Sequence, residues 1–234
     1  MSASEAVPDA VVLDFDGLVL DTEWCEYATA AEVFAEHGEE LSLDLWKTFI
    51  GSTDHPHWTD ILEEQLGRPV DRAVLVPARR LRNRECTAGL EPLPGVVPLL
   101  DSLAAAGVPI ALASSSPADW VFGHLGDHGL TDRFAAIATG DEVVRTKPDP
   151  ALYLLACDRL GVAPAGAVAV EDSVNGVAAA RAAGLAAVAV PSGLTLGMDF
   201  GHADLVVASC LELSPARLAD VVRDCDGRLE RGAS

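Results

Sequence analysis

The sequence predicts an α/β protein, a doubly wound (Rossmann-like) parallel sheet core with a small helical cap domain inserted into it. Three observations carry that prediction. Short, wholly apolar runs recur along the chain with helix-like stretches between them. The runs lack polar alternation, as strands covered on both faces of a parallel sheet do. One long stretch after the first run, from about Glu23 to Cys86, holds helix-like patterns and no such run.

The first strand is Val11-Val12-Leu13. Helix-like patterns follow at Glu23–His37, Leu43–Ile50, Trp58–Leu66 and Asp71–Cys86, separated by Gly38, Gly51 and Gly67-Arg68-Pro69. The return path, Glu91-Pro92-Leu93-Pro94-Gly95, has the proline and glycine content of a stiff hinge. We therefore expect residues 1–20 and 92–234 to form the core and residues 21–91 the cap. Beyond the hinge the apolar runs are Val108–Ala113, Ala135–Ala138, Ala167–Val170, Ala186–Val190 and Leu205–Ala208. Helices are expected at Val96–Ala106, Pro150–Leu160, Asn175–Ala183 and Pro215–Asp224. Gly107, Gly161 and Gly184 each sit just past a helical stretch, where a left-handed stop is favoured. Arg228 to Ser234 read as a frayed polar end.

Composition excludes several classes. Half of the 234 residues are hydrophobic, too many for a disordered chain. Thirty-six acidic against 16 basic side chains give a net charge of −20, which repels phosphate backbones and anionic lipid heads. Neither nucleic acid nor membrane is expected as a partner. No apolar stretch approaches the ~20 residues needed to span a bilayer, and the N-terminus has no signal-peptide pattern. Cys25, Cys86, Cys157, Cys210 and Cys225 are scattered and form no CxxC pair. They read as core fillers in a reducing, cytoplasmic setting rather than as a disulfide frame or a zinc site.

Chemistry concentrates at the ends of the apolar runs. Asp14-Phe15-Asp16-Gly17 puts two carboxylates two residues apart, hence on one side of an extended strand, before a glycine turn. Two such acids at a buried strand end repel and lose hydration, and a hard cation such as Mg2+ relieves both costs. Ser114-Ser115-Ser116 ends the next run, where hydroxyls and free amides can hold phosphate oxygens. Lys147, in Lys147-Pro148-Asp149-Pro150, is one of only two lysines in the chain and offers a point charge for a carboxylate or phosphate. Glu171-Asp172 ends the fourth run in a second pair of acids. Each motif alone has a plain alternative as turn or helix cap. Together they bring acids, serines and one lysine to the ligand-binding edge of one sheet.

This order of motifs resembles the haloacid-dehalogenase-like (HAD) hydrolase superfamily, in the branch with a helical cap after strand one. That branch includes small-molecule phosphatases and β-phosphoglucomutase; Asp21-Thr22-Glu23 and Glu171-Asp172-Ser173-Val174-Asn175-Gly176 also resemble it. The resemblance implies that Asp14 is a nucleophile forming an aspartyl-phosphate and that Asp16 is the general acid and then base. It implies that Ser114, the Ser115 amide, Gly17 and Lys147 bind the phosphoryl group. Mg2+ would lie among Asp14, the Asp16 carbonyl, Glu171 and Asp172. Asp16 favours phosphate esters over halides, since only an alkoxide leaving group needs a proton.

The implied activity is hydrolysis of a small phosphorylated metabolite, because a closing cap excludes bulky substrates. A β-phosphoglucomutase-type mutase is the first alternative. Against it, Glu26 stands where that enzyme has a cap histidine, Asp54 where it has an arginine, and Pro117-Ala118 where it has Lys and Asn. A non-catalytic module on the same fold is the second alternative, disfavoured because every chemical group is present. In the cap, Arg79, Arg80, Arg82 and Arg84 read as a solvated helix face. His55, His57 and Trp58 read as packing or surface, and Asp21, Thr22 and Glu23 as weak candidates for leaving-group contact.

Overall fold

The computed structural model describes residues 6–52 and 55–232, with residues 226–232 described by their backbone only. Asp54 lies outside the described residues.

Strand β1 (Ala10–Leu13) leads into four helices, α1 (Thr22–Glu36), α2 (Leu43–Lys47), α3 (Trp58–Leu66) and α4 (Arg72–Thr87). The chain then alternates through α5 (Val96–Ala105), β2 (Ile110–Ala113), α6 (Ala118–Asp127), β3 (Ala136–Ala138), α7 (Ala151–Leu160), β4 (Ala167–Glu171), α8 (Val174–Ala182), β5 (Ala186–Ala189), β6 (Leu205–Val206) and α9 (Pro215–Gly232). The six strands form one sheet in the order β3-β2-β1-β4-β5-β6, every pairing parallel. β1 lies between β2 and β4, so Val11 stands level with both Ile110 and Val168. Strand order reverses beside β1, and the crevice outside the carboxyl ends there is the expected ligand site.

The apolar runs carry an alternation of size rather than of polarity. Val11, Leu13, Ile110, Leu112, Val168 and Val170 face one side, against α5, α6 and α9. Ala10, Val12, Ala111, Ala113, Ala167 and Ala169 face the other, against α7 and α8. The alanine face leaves room for helices to pack tightly on the sheet, and both faces exclude water.

Helices α1–α4 have a hydrophobic cluster of their own, built on Val33, Phe34, Trp46, Ile50, Trp58 and Leu62 and joined by Leu194 from the sheet domain. The loop after α2 lies on the core. Asn175 Nδ2 donates to the Ile50 carbonyl at 2.8 Å and Ser115 Oγ to the Gly51 carbonyl at 3.1 Å. Gly51 adopts φ +80°, and a Cβ there would sit 2.3 Å from Ser173 Oγ, so only glycine permits this approach.

Two expectations are corrected. Cys25 and Cys86 are not independent core fillers; they form a disulfide between α1 and α4, 61 residues apart in sequence. No CxxC spacing signals it, because the pairing arises only when the two helices pack. Cys157, Cys210 and Cys225 are free and buried, as expected of fillers. The C-terminal stretch is helical to Gly232 rather than frayed from Arg228. Helix α6, which the sequence marks only as an unbounded helix after the serine triplet, has only Val121 and Leu125 buried and two glycines in its span, which blunts its periodicity.

Candidate active site

Asp14 follows the last residue of β1 and is held by its backbone, N–H to the Val170 carbonyl at 3.0 Å. Its carboxylate accepts a hydrogen bond from Lys147 Nζ. Lys147, 1% exposed, also donates to Glu171 Oε1 at 2.6 Å. Glu171 ends β4 with both oxygens engaged: Tyr153 OH donates to Oε1 at 2.6 Å, while Ser173 donates to Oε2 from Oγ at 3.0 Å and from its amide at 3.2 Å. Asp172 differs. Among the described residues, its Oδ1 is buried with no hydrogen-bond partner, and Oδ2 has only the Thr195 hydroxyl at 3.4 Å.

Asp14, Glu171 and Asp172 each offer a carboxylate oxygen, all within 4.8 Å of one another. One ammonium therefore faces three buried acids. Burial first, then the charge of Glu171, pushes the Asp14 carboxyl from an ordinary 3.8 up to about 8, against the pull of Lys147. Burial and the charges of Asp14 and Glu171 hold Asp172 well above the carboxylate range. Burial alone would lower Lys147, but Asp14 and Glu171 outweigh it and hold its proton more tightly than usual. Hard oxygen donors in excess of positive charge, one of them a buried orphan, fit Mg2+.

Gly17 completes the wall. It adopts φ +87°, and a Cβ there would lie 2.1 Å from Asp172 Oδ2. Its carbonyl accepts from the Ser192 hydroxyl.

Asp16 sits at the opening of this chamber. Oδ1 accepts from Thr22 Oγ1 at 2.7 Å and Trp120 Nε1 at 2.8 Å, and Oδ2 from Ser116 Oγ at 2.7 Å and Ser114 Oγ at 3.3 Å. The sequence reading missed Trp120 and Tyr153, and it took Ser116 only as one of the serines that can hold phosphate oxygens, not as a partner of Asp16. Tyr153 lies in α7, which follows the Lys147-Pro148-Asp149-Pro150 segment, and its ring lies 5.2 Å from Lys147 Nζ. Ser115 is placed otherwise than its motif suggests for a hydroxyl, since its Oγ holds the Gly51 carbonyl.

Beyond Asp16 a cleft of about 560 Å³ opens between α1, α3 and α4 on one side and α6 on the other. Glu23, Glu26, Trp58, Arg79, Asn83 and Trp120 are among the residues lining it. Here too the reading of the arginine run is corrected in part. Arg79 is not on a solvated face; its side chain is 11% exposed and ion-paired with Glu26. Arg82 pairs with Glu36 at 2.8 Å, while Arg80 and Arg84 stand exposed at the rim. Trp58 packs in the cluster of α1–α4, as expected, and with His57 it also lines this cleft. Burial raises Glu23 well above the carboxylate range, aided by Asp16 and Glu26, and burial lowers His57 and His124. Among the described residues, no helix is long and apolar enough to cross a membrane.

A family model described as haloacid dehalogenase-like hydrolase matches residues 8–184. A Bacillus subtilis (strain 168) protein named "Putative phosphatase YhcW" is 43% identical over 211 residues, covering 90% of this chain and 96% of its own. A phosphorylated carbohydrates phosphatase of Thermotoga maritima is 28% identical, covering 92% and 99%. Among solved structures, a mutant of CbbY from Rhodobacter sphaeroides in complex with xylulose-(1,5)bisphosphate superposes with a TM-score of 0.75 at 27% identity, covering 90% of this chain and 99% of that one.

Proposed function

The chain belongs to the haloacid dehalogenase-like hydrolase family, and from that premise we propose that it is a phosphatase, an Mg2+-dependent hydrolase of small phosphate monoesters. The observation that carries the proposal is the chamber in which Lys147 joins Asp14 to Glu171 beside the unpartnered Asp172 oxygen. Phosphoryl transfer asks mainly for positioning and charge neutralisation, which such a chamber supplies.

Asp14 attacks phosphorus in line, forming an Asp14 O–P bond as the ester P–O bond breaks. The departing oxygen keeps the bonding electrons and takes a proton from Asp16. Water then attacks the same phosphorus, giving a proton to Asp16; the Asp14 O–P bond breaks and phosphate leaves. Lys147 holds the Asp14 carboxylate in place and offsets charge on the transferring group. Ser114, the Ser115 amide and the Gly17 turn bind phosphoryl oxygens. Asp14, Asp172 and the Asp16 carbonyl would hold Mg2+, which when bound neutralises charge on the phosphoryl oxygens. Both Glu171 oxygens already have protein partners. We assign Glu171 to orienting Lys147, and Asp172 to the metal itself.

We also propose residues 21–91 as a cap that closes over the ester, with the leaving group in the cleft beyond Asp16. Phosphate release from a panel of sugar phosphates, phosphoglycolate and nucleotide monophosphates, with Mg2+, tests the reading. Release is expected from the wild type, and Asp14→Asn should abolish it. Turnover that survives Asp14→Asn or complete chelation would refute the mechanism.

A further inference from the structure

The leaving-group cleft has an unusual electrostatic floor. Its deepest cation, Arg79, is flanked by Trp46 and Trp58, with the guanidinium 6.0 and 5.6 Å from their ring centroids. That environment would suit a cation waiting for an anionic ligand. Yet Arg79 is already engaged by Glu26, through both the carboxylate and, at 2.6 Å, the backbone carbonyl. Asn83 Nδ2 donates to the other Glu26 oxygen. Glu26 lies on α1, while Arg79 and Asn83 lie on α4, so the contact spans the two cap helices that wall the cleft.

We propose that Glu26 is a specificity-determining residue: by holding Arg79 it selects esters whose alcohol part is uncharged and polyhydroxylated, and rejects those bearing a second anion. The inference rests on the phosphatase reading above and deepens it. An anion entering beyond Asp16 would meet the Glu26 carboxylate with Arg79 already committed to it and Arg80 and Arg84 only at the exposed rim, and like-charge juxtaposition is costly in a half-buried cleft. A sugar or polyol meets the opposite. The oxygens of Glu23 and Glu26 can accept its hydroxyls, and Trp58 and Trp120, which line the same cleft, offer apolar surface to its C–H edges. The CbbY structure holds a bisphosphate in a related fold, so the charge pattern of this cleft, not the fold, decides the matter.

Matched esters test this directly. The kcat/KM values of the wild type are compared for glucose 6-phosphate against 6-phosphogluconate, and for ribulose 5-phosphate against ribulose 1,5-bisphosphate. The member without the second anion should win each pair by about tenfold or more. Glu26→Gln, which keeps an acceptor for Asn83 but frees the Arg79 charge, should narrow that ratio by about tenfold. Glu26→Gln combined with Arg79→Gln should restore it. Circular dichroism melts establish that the variants fold, and the wild-type ranking needs no variant. A wild-type preference for the doubly anionic member would overturn the proposal and assign the distal anion to the exposed Arg80 and Arg84. A ratio unmoved by Glu26→Gln in the folded variant would overturn it as well. Release from no ester would remove the hydrolase reading and this inference together; release with reversed ranking would remove only the inference.

Discussion

Replacing Asp14 by Asn should stabilise the metal-free protein while destroying its activity. In the folded chain the Asp14 carboxyl is pushed from 3.8 up to about 8 by burial and by Glu171. A carboxyl raised on folding binds its proton more tightly in the native state than in the unfolded one. Stability from this group is therefore full at low pH and falls as pH rises through the window between those two values. Each pH unit inside the window costs about 1.4 kcal/mol. Roughly three units separate the unfolded value from neutrality, so the upper bound at pH 7 is about 4 kcal/mol. Asp172 and Lys147 share the same charge balance, and about 2–3 kcal/mol is the working expectation. For a chain of this length that is a rise of about 4–12 °C in melting temperature. The assay is thermal melting in chelator at pH 4 and pH 7 for wild type and Asp14→Asn. The variant should gain at pH 7 and show little difference at pH 4, and Mg2+ should recover much of the gap for the wild type alone. A variant less stable than wild type at pH 7 in chelator would refute the electrostatic account of the site.

Two further outcomes are expected. Gly17→Ala puts a Cβ 2.1 Å from Asp172 Oδ2 at a backbone φ of +87°; a displaced Asp172 should lower kcat by about 100-fold and raise the Mg2+ requirement, measured by titrating the metal against rate. Trp120→Phe keeps an aromatic side chain and removes the Nε1 donor to Asp16; kcat should fall by about tenfold, measured by steady-state phosphate release.

What the sequence made legible is what each strand end carries by itself. Asp14, Ser114, Lys147, Glu171 and Asp172 follow apolar runs or a short loop. Parallel pairing of those runs brings their ends to one edge, where all five are buried. The residues that escaped depend on how separate elements meet. Trp120 reaches Asp16 from α6, 104 positions away, and nothing in its own segment announces that contact. Arg79 looked like one of four solvated arginines because helical spacing cannot say which of them turns inward toward Glu26, 53 positions distant. Cys25 and Cys86 likewise join only through the packing of α1 on α4.

The hydrogen bonds around Asp16 also bear on how one carboxyl can serve in both halves of a reaction. Four donors converge on its two oxygens, so this arrangement is that of an acceptor, ready to receive a proton from water. To deliver a proton instead, one oxygen must become a donor, and its partner must then accept. Trp120 Nε1 can only donate, which fixes Oδ1 as an acceptor throughout. The partners of Oδ2 are the Ser114 and Ser116 hydroxyls, which can rotate and accept. In the proposed mechanism, the proton exchanged with the ester oxygen therefore belongs on Oδ2, the side facing the serine loop. On that proposal Trp120 is a positioning residue, its donation to Oδ1 leaving Oδ2 as the oxygen presented to the ester.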